Sequence, residues 1–296
     1  MGAGARAVVV GSGAMAPEIA ACLAVTGTSV AIAGRDPGRT DAAVDTARGL
    51  ADGRGEITAA PIAPGTFADA ALVAESIVED LATKRELYAA IEPWCPAEAV
   101  IATNTSSLRI ADLAAVLDRP GRFAGLHFLK PAHLTGVVEV IPGPATDAAA
   151  VEVLRGLAEQ MGKVPLVVRS DEPGFIWNRI QFAVLRECLH MLELGIADAA
   201  DIDAAVSDGL APRWVAAGPL ATADLGGLRT FSLVSAQLNP HLAAGGDVSP
   251  ELTARAESGE AFAAWTQVAG PAVGALRREA LRGGREIAAM RKALGG

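Results

Sequence analysis

Short, dense apolar runs recur through the first 170 residues: Ala7 to Val10 (AVVV), Ser29 to Ala33 (SVAIA), Ala71 to Glu75 (ALVAE), Ala99 to Thr103 (AVIAT), Val137 to Ile141 (VVEVI) and Pro165 to Val168 (PLVV). Each is strand-sized, and alanine- and leucine-rich segments of helical length separate them. This alternation predicts a mostly parallel sheet covered by helices. After Ser170-Asp171-Glu172-Pro173 the strand signals stop, and the pattern changes to helical spacing. Gly174 to Gly195 forms one long segment with Ile176, Ile180, Ala183, Val184 and Leu192 as its apolar positions. Further helices follow between breakers at Gly209, Pro219, Gly226-Gly227, Pro240 and Pro250, and a solvated terminal helix is expected over Ala272 to Leu294. The predicted fold is α/β, with a doubly wound Rossmann-type domain over residues 1–170 and an all-α domain over 171–296.

Composition narrows the partners. With 20% charged residues and 51% hydrophobic ones, the chain is far from the composition of disordered segments. A formal charge of −9 repels a phosphate backbone, so nucleic acid is excluded as an expected partner. Cys22, Cys95 and Cys188 lie far apart with no CxxC pair, which predicts reduced structural thiols, a cytoplasmic setting and no metal site. No apolar stretch reaches the ~20 residues that a membrane span needs, and the N-terminus runs directly into the first strand.

The first strand leads straight into GSGAMA. Gly11, Gly13 and Ala16 stand in the G-x-G-x-x-G/A arrangement, with Ala14 and Met15 between them and a predicted helix following. Gly11 permits the tight turn, Gly13 lets a pyrophosphate approach the backbone, and Ala16 lets helix and strand pack closely. The plain alternative is an ordinary glycine-rich turn. About 20 residues on, where an acid normally binds the adenosine ribose of NAD, the chain has Gly34, then Arg35 and, a turn later, Arg39. A cationic pair without a carboxylate suits a 2′-phosphate, so NADP is expected, with NAD possible if Asp36 takes the ribose instead.

Downstream, the polar cluster NTSSL (104–108) precedes RFAGLHF-x-x-P (122–131), VEVI (138–141) and PGFIWNR (173–179). A lone histidine closing a strand is more often a satisfied core residue than a catalyst. These four motifs in this order, behind a dinucleotide loop, resemble the 3-hydroxyacyl-CoA dehydrogenase family over most of the first 230 residues. The resemblance implies a Rossmann domain followed by a helical dimerisation domain, hence a homodimer. It also implies His127 as catalytic base, Glu139 as its partner, and Ser106 and Asn178 as ligands of the substrate oxygen. Asn104 is expected to help orient Ser106 and to lie with the cofactor contacts, as are Glu79 and Lys84, which otherwise read as surface residues opening a helix. The chemistry is consistent: hydride removal from a carbinol needs a base for the hydroxyl proton, and a carboxylate fixes the imidazole tautomer.

Three departures stand out. Lys130 replaces the asparagine that usually follows the histidine in HFxNP, and its ammonium can oppose a protonated His127, pair with Glu139 or meet an anionic substrate group. Only about 40 residues, none of them lysine, join Arg35 to Glu75, where CoA-using relatives carry a longer lysine-rich hairpin. Arg213, in SDGLAPRW, resembles the lambda-crystallin and carnitine dehydrogenase branches and is a candidate carboxylate ligand, or else a capping or surface residue. The leading expectation is a dehydrogenase of a 3-hydroxyacyl thioester carried by CoA or an acyl carrier protein. The alternatives are a dehydrogenase of a free 3-hydroxy acid, and a structural protein that has retired its catalysis.

Overall fold

The computed structural model describes residues 5–262, 275, 278–284, 286, 287 and 290. The expected terminal helix over 272–294 is described at 275, 278–284, 286, 287 and 290, all of them helical, and its other residues lie outside the described ones. Contacts divide the chain into two compact units, one ending at Arg179 and the other beginning at Ile180.

The first unit runs β1 (Arg6–Val10), α1 (Ala16–Ala24), β2 (Ser29–Gly34), α2 (Pro37–Leu50), β3 (Ile57–Pro61), α3 (Pro64–Phe67), β4 (Ala70–Glu75), α4 (Leu81–Ile91), β5 (Val100–Thr103), α5 (Ile110–Ala114), β6 (Phe123–His127), β7 (Val137–Pro142), α6 (Ala148–Gln160) and β8 (Val164–Val167). The strands form one sheet in the order β3-β2-β1-β4-β5-β6-β7-β8. Strand order reverses between β1 and β4, so the crevice at their carboxyl ends is where an open α/β sheet takes a ligand. β6 and β7 pair antiparallel, with His127 directly opposite Glu139. The two faces of the sheet bury separate clusters. Ile19, Leu23 and Leu154 pack on one face, and Tyr88, Ile91 and Phe123 on the other.

Local chemistry explains the boundaries. α1 packs flat on the sheet because all nine of its residues, APEIAACLA, are buried and mostly small. Asp36 and Asp80 cap α2 and α4, accepting from the amides of Arg39 (3.0 Å) and Thr83 (2.8 Å), and Pro37 opens α2 at the position where its missing N–H costs nothing. The sequence pattern did not announce β3. It is an edge strand with only Ile57 buried and a proline at its end, so it has neither an apolar run nor a clean alternation.

The unit division falls beyond the expected boundary at 170, because the intervening segment is hydrogen-bonded into the first unit. The Asp171 carboxylate accepts from the Ile110 (2.8 Å) and Ala111 (2.7 Å) amides that open α5. α7 (Trp177–Glu193) leads into the second unit, which continues with α8 (Ala199–Ala204), α9 (Ala211–Ala216), α10 (Pro219–Gly226), α11 (Leu228–Leu238) and α12 (Pro250–Ser258). Gly209 does not break the chain as expected. It lies inside a widened helical turn, Ala205–Leu210, that joins α8 to α9. Ile180, one of the apolar positions of α7, is 52% exposed. Among the described residues no helix is long and apolar enough to cross a membrane, and the three cysteines are free thiols.

Candidate active site

The loop after β1 has the shape its glycines require. Gly11 has φ +126°, and a Cβ there would collide with the Ser76 carbonyl oxygen beyond β4. Its amide donates to Ala33 O (2.9 Å), which ties the turn to β2. Gly13 is exposed, with nothing near the place where its Cβ would be, so its backbone is open to a ligand's approach. Ala14 is exposed and Met15 half-buried, while Ala16 is fully buried against the sheet. The cradle and the approachable backbone therefore fit the pyrophosphate of a dinucleotide. At the end of β2, Arg35 and Arg39 are both exposed, and Asp36 has one carboxylate oxygen on the Arg39 amide.

At the carboxyl end of β6 a hydrogen-bonded line forms. His127 Nδ1 meets Glu139 Oε2 at 2.7 Å, and His127 Nε2 meets Ser106 Oγ at 3.1 Å. The other oxygen of Glu139 accepts from the Ile176 (2.8 Å) and Trp177 (2.9 Å) amides at the start of α7. Burial alone would raise the Glu139 carboxyl. The hydrogen bonds from His127, Trp177 and Ile176 outweigh it and hold the group below the ordinary carboxylate range. An ionised Glu139 can only accept, so Nδ1 carries the proton, and in the neutral ring the lone pair is on Nε2, facing Ser106. Phe175 packs edge-on against the imidazole, with ring centroids 5.8 Å apart.

Phe175 is buried with φ +50° and follows Gly174 at φ +82°. Two successive left-handed residues turn the chain so that the next two amides point at Glu139. A bulky residue in that region is strained, and such strain concentrates at sites of function. PGFIWNR carried the signal in its glycine, but the conformation of Phe175 was not readable from it.

Ser106 is placed by Glu79, expected with the cofactor contacts or else as a surface residue. Glu79 Oε1 accepts from Thr105 Oγ1 (2.6 Å), Ser106 N (2.8 Å), Ser107 N (3.0 Å) and Ser107 Oγ (3.0 Å). Partial burial would raise this carboxyl, yet the Thr105 bond, the nearby Lys84 charge and the two serine amides lower it. Lys84 is no surface residue. It is 1% exposed, with its ammonium 2.6 Å from Glu75 Oε1 and 3.5 Å from Glu79 Oε2. Glu75, fully buried at the end of β4, also accepts from Thr103 Oγ1 (2.9 Å), Tyr88 OH and the Ile77 amide (2.6 Å). No motif announces Glu75. Its signal was an acid closing an apolar strand, with a lysine and a tyrosine on one face of the following helix.

Asn104 does not orient Ser106 directly. Its Oδ1 accepts from the Phe128 amide (2.8 Å) and its Nδ2 points to Ser76 Oγ (3.4 Å), so it ties the end of β6 to the loop after β4. Asn178 touches the serine, its Nδ2 donating to Ser106 O at 3.0 Å. Lys130 is exposed in the loop between β6 and β7. That loop is pinned by Lys163 Nζ, which donates to Ala132 O and Thr135 O (both 2.6 Å), and by Glu18, which accepts from the Ala132 amide. Arg213 lies exposed on α9 in the second unit. Among the described residues there is no group of three or more His, Cys, Asp or Glu placed to hold a metal.

The profile of the 3-hydroxyacyl-CoA dehydrogenase NAD-binding domain matches residues 6–172, and that of the family's C-terminal domain matches 174–260. The 5-formyl-3-hydroxy-2-methylpyridine 4-carboxylate 5-dehydrogenase of Mesorhizobium japonicum is 32% identical over 254 residues, 82% of each chain. A solved structure of an enzyme of that activity, described as an NAD+-dependent dismutase, superposes with a TM-score of 0.86 at 29% identity over 99% of both chains. A probable 3-hydroxybutyryl-CoA dehydrogenase of Bacillus subtilis is 38% identical over 159 residues, 54% of each chain. Two profiles that together span residues 6–260, and a relative 32% identical over 82% of each chain, establish the assignment: the chain belongs to the 3-hydroxyacyl-CoA dehydrogenase family.

Proposed function

We propose that this chain is a nicotinamide-dinucleotide-dependent dehydrogenase of a small free hydroxy acid, working in either direction between the alcohol and its oxo form. The observation that carries the chemistry is the line from Ser106 Oγ through His127 to Glu139 at the carboxyl end of the sheet. The bound cofactor supplies a hydride acceptor. His127 Nε2 takes the hydroxyl proton as the carbonyl forms, and Glu139 stabilises the resulting imidazolium through Nδ1. The Ser106 hydroxyl and the Asn178 amide are donors for the oxygen that gains negative character. Residues Gly11 to Ala16 hold the pyrophosphate, and Arg35 with Arg39 favours NADP over NAD at the adenosine end. Either Lys130 or Arg213 is the cation for a substrate carboxylate.

The preference for a free acid over a thioester rests on the β2-to-β3 connection. It is one 14-residue helix and a turn, with no added hairpin and no lysine to receive the nucleotide end of CoA. The likeness to a free-substrate dehydrogenase across nearly the whole chain supports the same choice. The thioester reading, on CoA or an acyl carrier protein, keeps the support of the 3-hydroxybutyryl-CoA relative.

Titration with NADPH and NADH, followed by turnover assays with acetoacetyl-CoA, an acetoacetyl carrier protein and free 3-oxo acids, separates the readings. Turnover of free acids alone is the expected result. Turnover confined to thioesters overturns the substrate assignment, and cofactor binding with no turnover on any of them favours a retired enzyme.

A further inference from the structure

Gly34 closes β2, the place where a Rossmann fold meets the adenosine ribose. Its backbone is not left-handed, so conformation does not demand a glycine there. Space does. A Cβ on Gly34 would overlap Thr40 Oγ1, with Thr40 Cβ only 3.3 Å away and Cγ2 at 3.6 Å. Thr40 is 2% exposed in the first turn of α2, and its rotamer is held, because Oγ1 donates to Asp36 O at 2.7 Å. Asp36 is itself fixed, with its carbonyl also receiving the Thr40 amide (3.0 Å) and its side chain capping the helix through the Arg39 amide.

We propose that Thr40 is a specificity-determining residue for the dinucleotide. By filling the volume over Gly34, it excludes a carboxylate from the end of β2 and so admits a ribose 2′-phosphate to the side flanked by Arg35 and Arg39. An acid at position 34 would accept both ribose hydroxyls of NAD and repel the phosphate of NADP; here that acid cannot be accommodated while Thr40 stays in place. The inference rests on the dinucleotide reading of the Gly11–Ala16 loop and deepens its NADP assignment.

The test uses the full chain, with Tm measured by calorimetry and NADPH and NADH affinities by nicotinamide fluorescence. Gly34→Ala and Gly34→Asp are expected to lower Tm, and adding Thr40→Ala to either is expected to restore it. Gly34→Asp/Thr40→Ala is expected to move the NADPH-to-NADH affinity ratio by about tenfold or more towards NADH, the effect of one charge-assisted hydrogen bond gained. Thr40→Ser, which keeps the hydroxyl, should not rescue Gly34→Asp. A Gly34→Ala chain as stable as the parent overturns the role of Thr40, and the Gly34→Ala pair decides this point even where the aspartate variants fail to fold. A folded Gly34→Asp/Thr40→Ala chain with an unchanged ratio overturns the selectivity. A parent chain that binds NADH more tightly overturns the NADP assignment under the proposed function, and with it the selection of a 2′-phosphate. A parent that prefers NADPH but accepts Gly34→Asp with no loss of Tm overturns the inference alone.

Discussion

Glu139 is 2% exposed, and its two oxygens are taken by the imidazole on one side and two backbone amides on the other. A carboxylate held this way accepts the Nδ1 proton, so in the neutral ring Nε2 is the base. Glu139→Gln removes the charge and lets the amide present a donor to the ring. Its turnover is expected to fall by about 10² or more, while NAD(P)H affinity, read by fluorescence, stays near the parent value. Because the folded carboxyl lies below its unfolded value, its contribution to stability is complete above the ordinary carboxylate range, about pH 4.3, and is lost as the pH falls through the lowered value. The Tm difference between parent and Glu139→Gln is therefore expected to shrink on acidification below that range, as measured by calorimetry across pH. His127→Ala is expected to cost about 10²–10⁴-fold in turnover, again with cofactor binding retained in the same titration. His127, Glu139 and Ser106 were readable from short motifs because each has a distinctive chemical letter in a fixed order. Phe175 was not, since a left-handed phenylalanine is a property of the surrounding turn.

The β5-to-α5 turn that carries Ser106 is latched by Glu79, and Glu79 is backed by Lys84 and Glu75 beneath the sheet's carboxyl edge. Removing the buried end of this chain should cost more stability than removing the exposed end. Glu75→Gln leaves a buried ammonium with one carboxylate fewer and is expected to destabilise by about 3–5 kcal/mol, measured from urea unfolding midpoints. Glu79→Gln keeps one accepting oxygen but loses the charge, at a side chain that water reaches. It is expected to lower kcat with a much smaller change in the unfolding midpoint, as the Ser106 turn loosens. At this scale the sequence disclosed seven of the eight strands, because six carry a contiguous apolar run and β6 closes on the histidine of a recognised motif. β3 escaped because an edge strand needs few apolar residues, and Gly209 misled because a widened helical turn accommodates a glycine that elsewhere ends a helix. The Glu75–Lys84 pair was equally hidden, since a buried ion pair looks like two ordinary surface charges until the sheet and the helix are brought together.

At the scale of the molecule, α10 and α11 expose Leu220 (84%), Leu225 (82%), Leu228 (62%) and Leu233 (60%). Apolar exposure of this extent in a helical unit is the expected mark of a self-association face, and a homodimer is the commonest closed solution. Light scattering is expected to give twice the chain mass, and Leu225→Glu to give the monomer; a monomeric parent would rule the dimer out. The domain plan was legible because the change from strand-sized to helical periodicity is a global signal. Its boundary was less so, because residues 171–179 are drawn into the first unit by Asp171 and Glu139. Since sheet register alone sets His127 opposite Glu139, the nine residues from Phe128 to Gly136 form an insert between two fixed points, stapled at its own middle by Lys163 and Glu18. Selection can rewrite that insert, as with Lys130, without disturbing the proton-transfer pair, so reactivity and substrate choice are free to diverge at different rates.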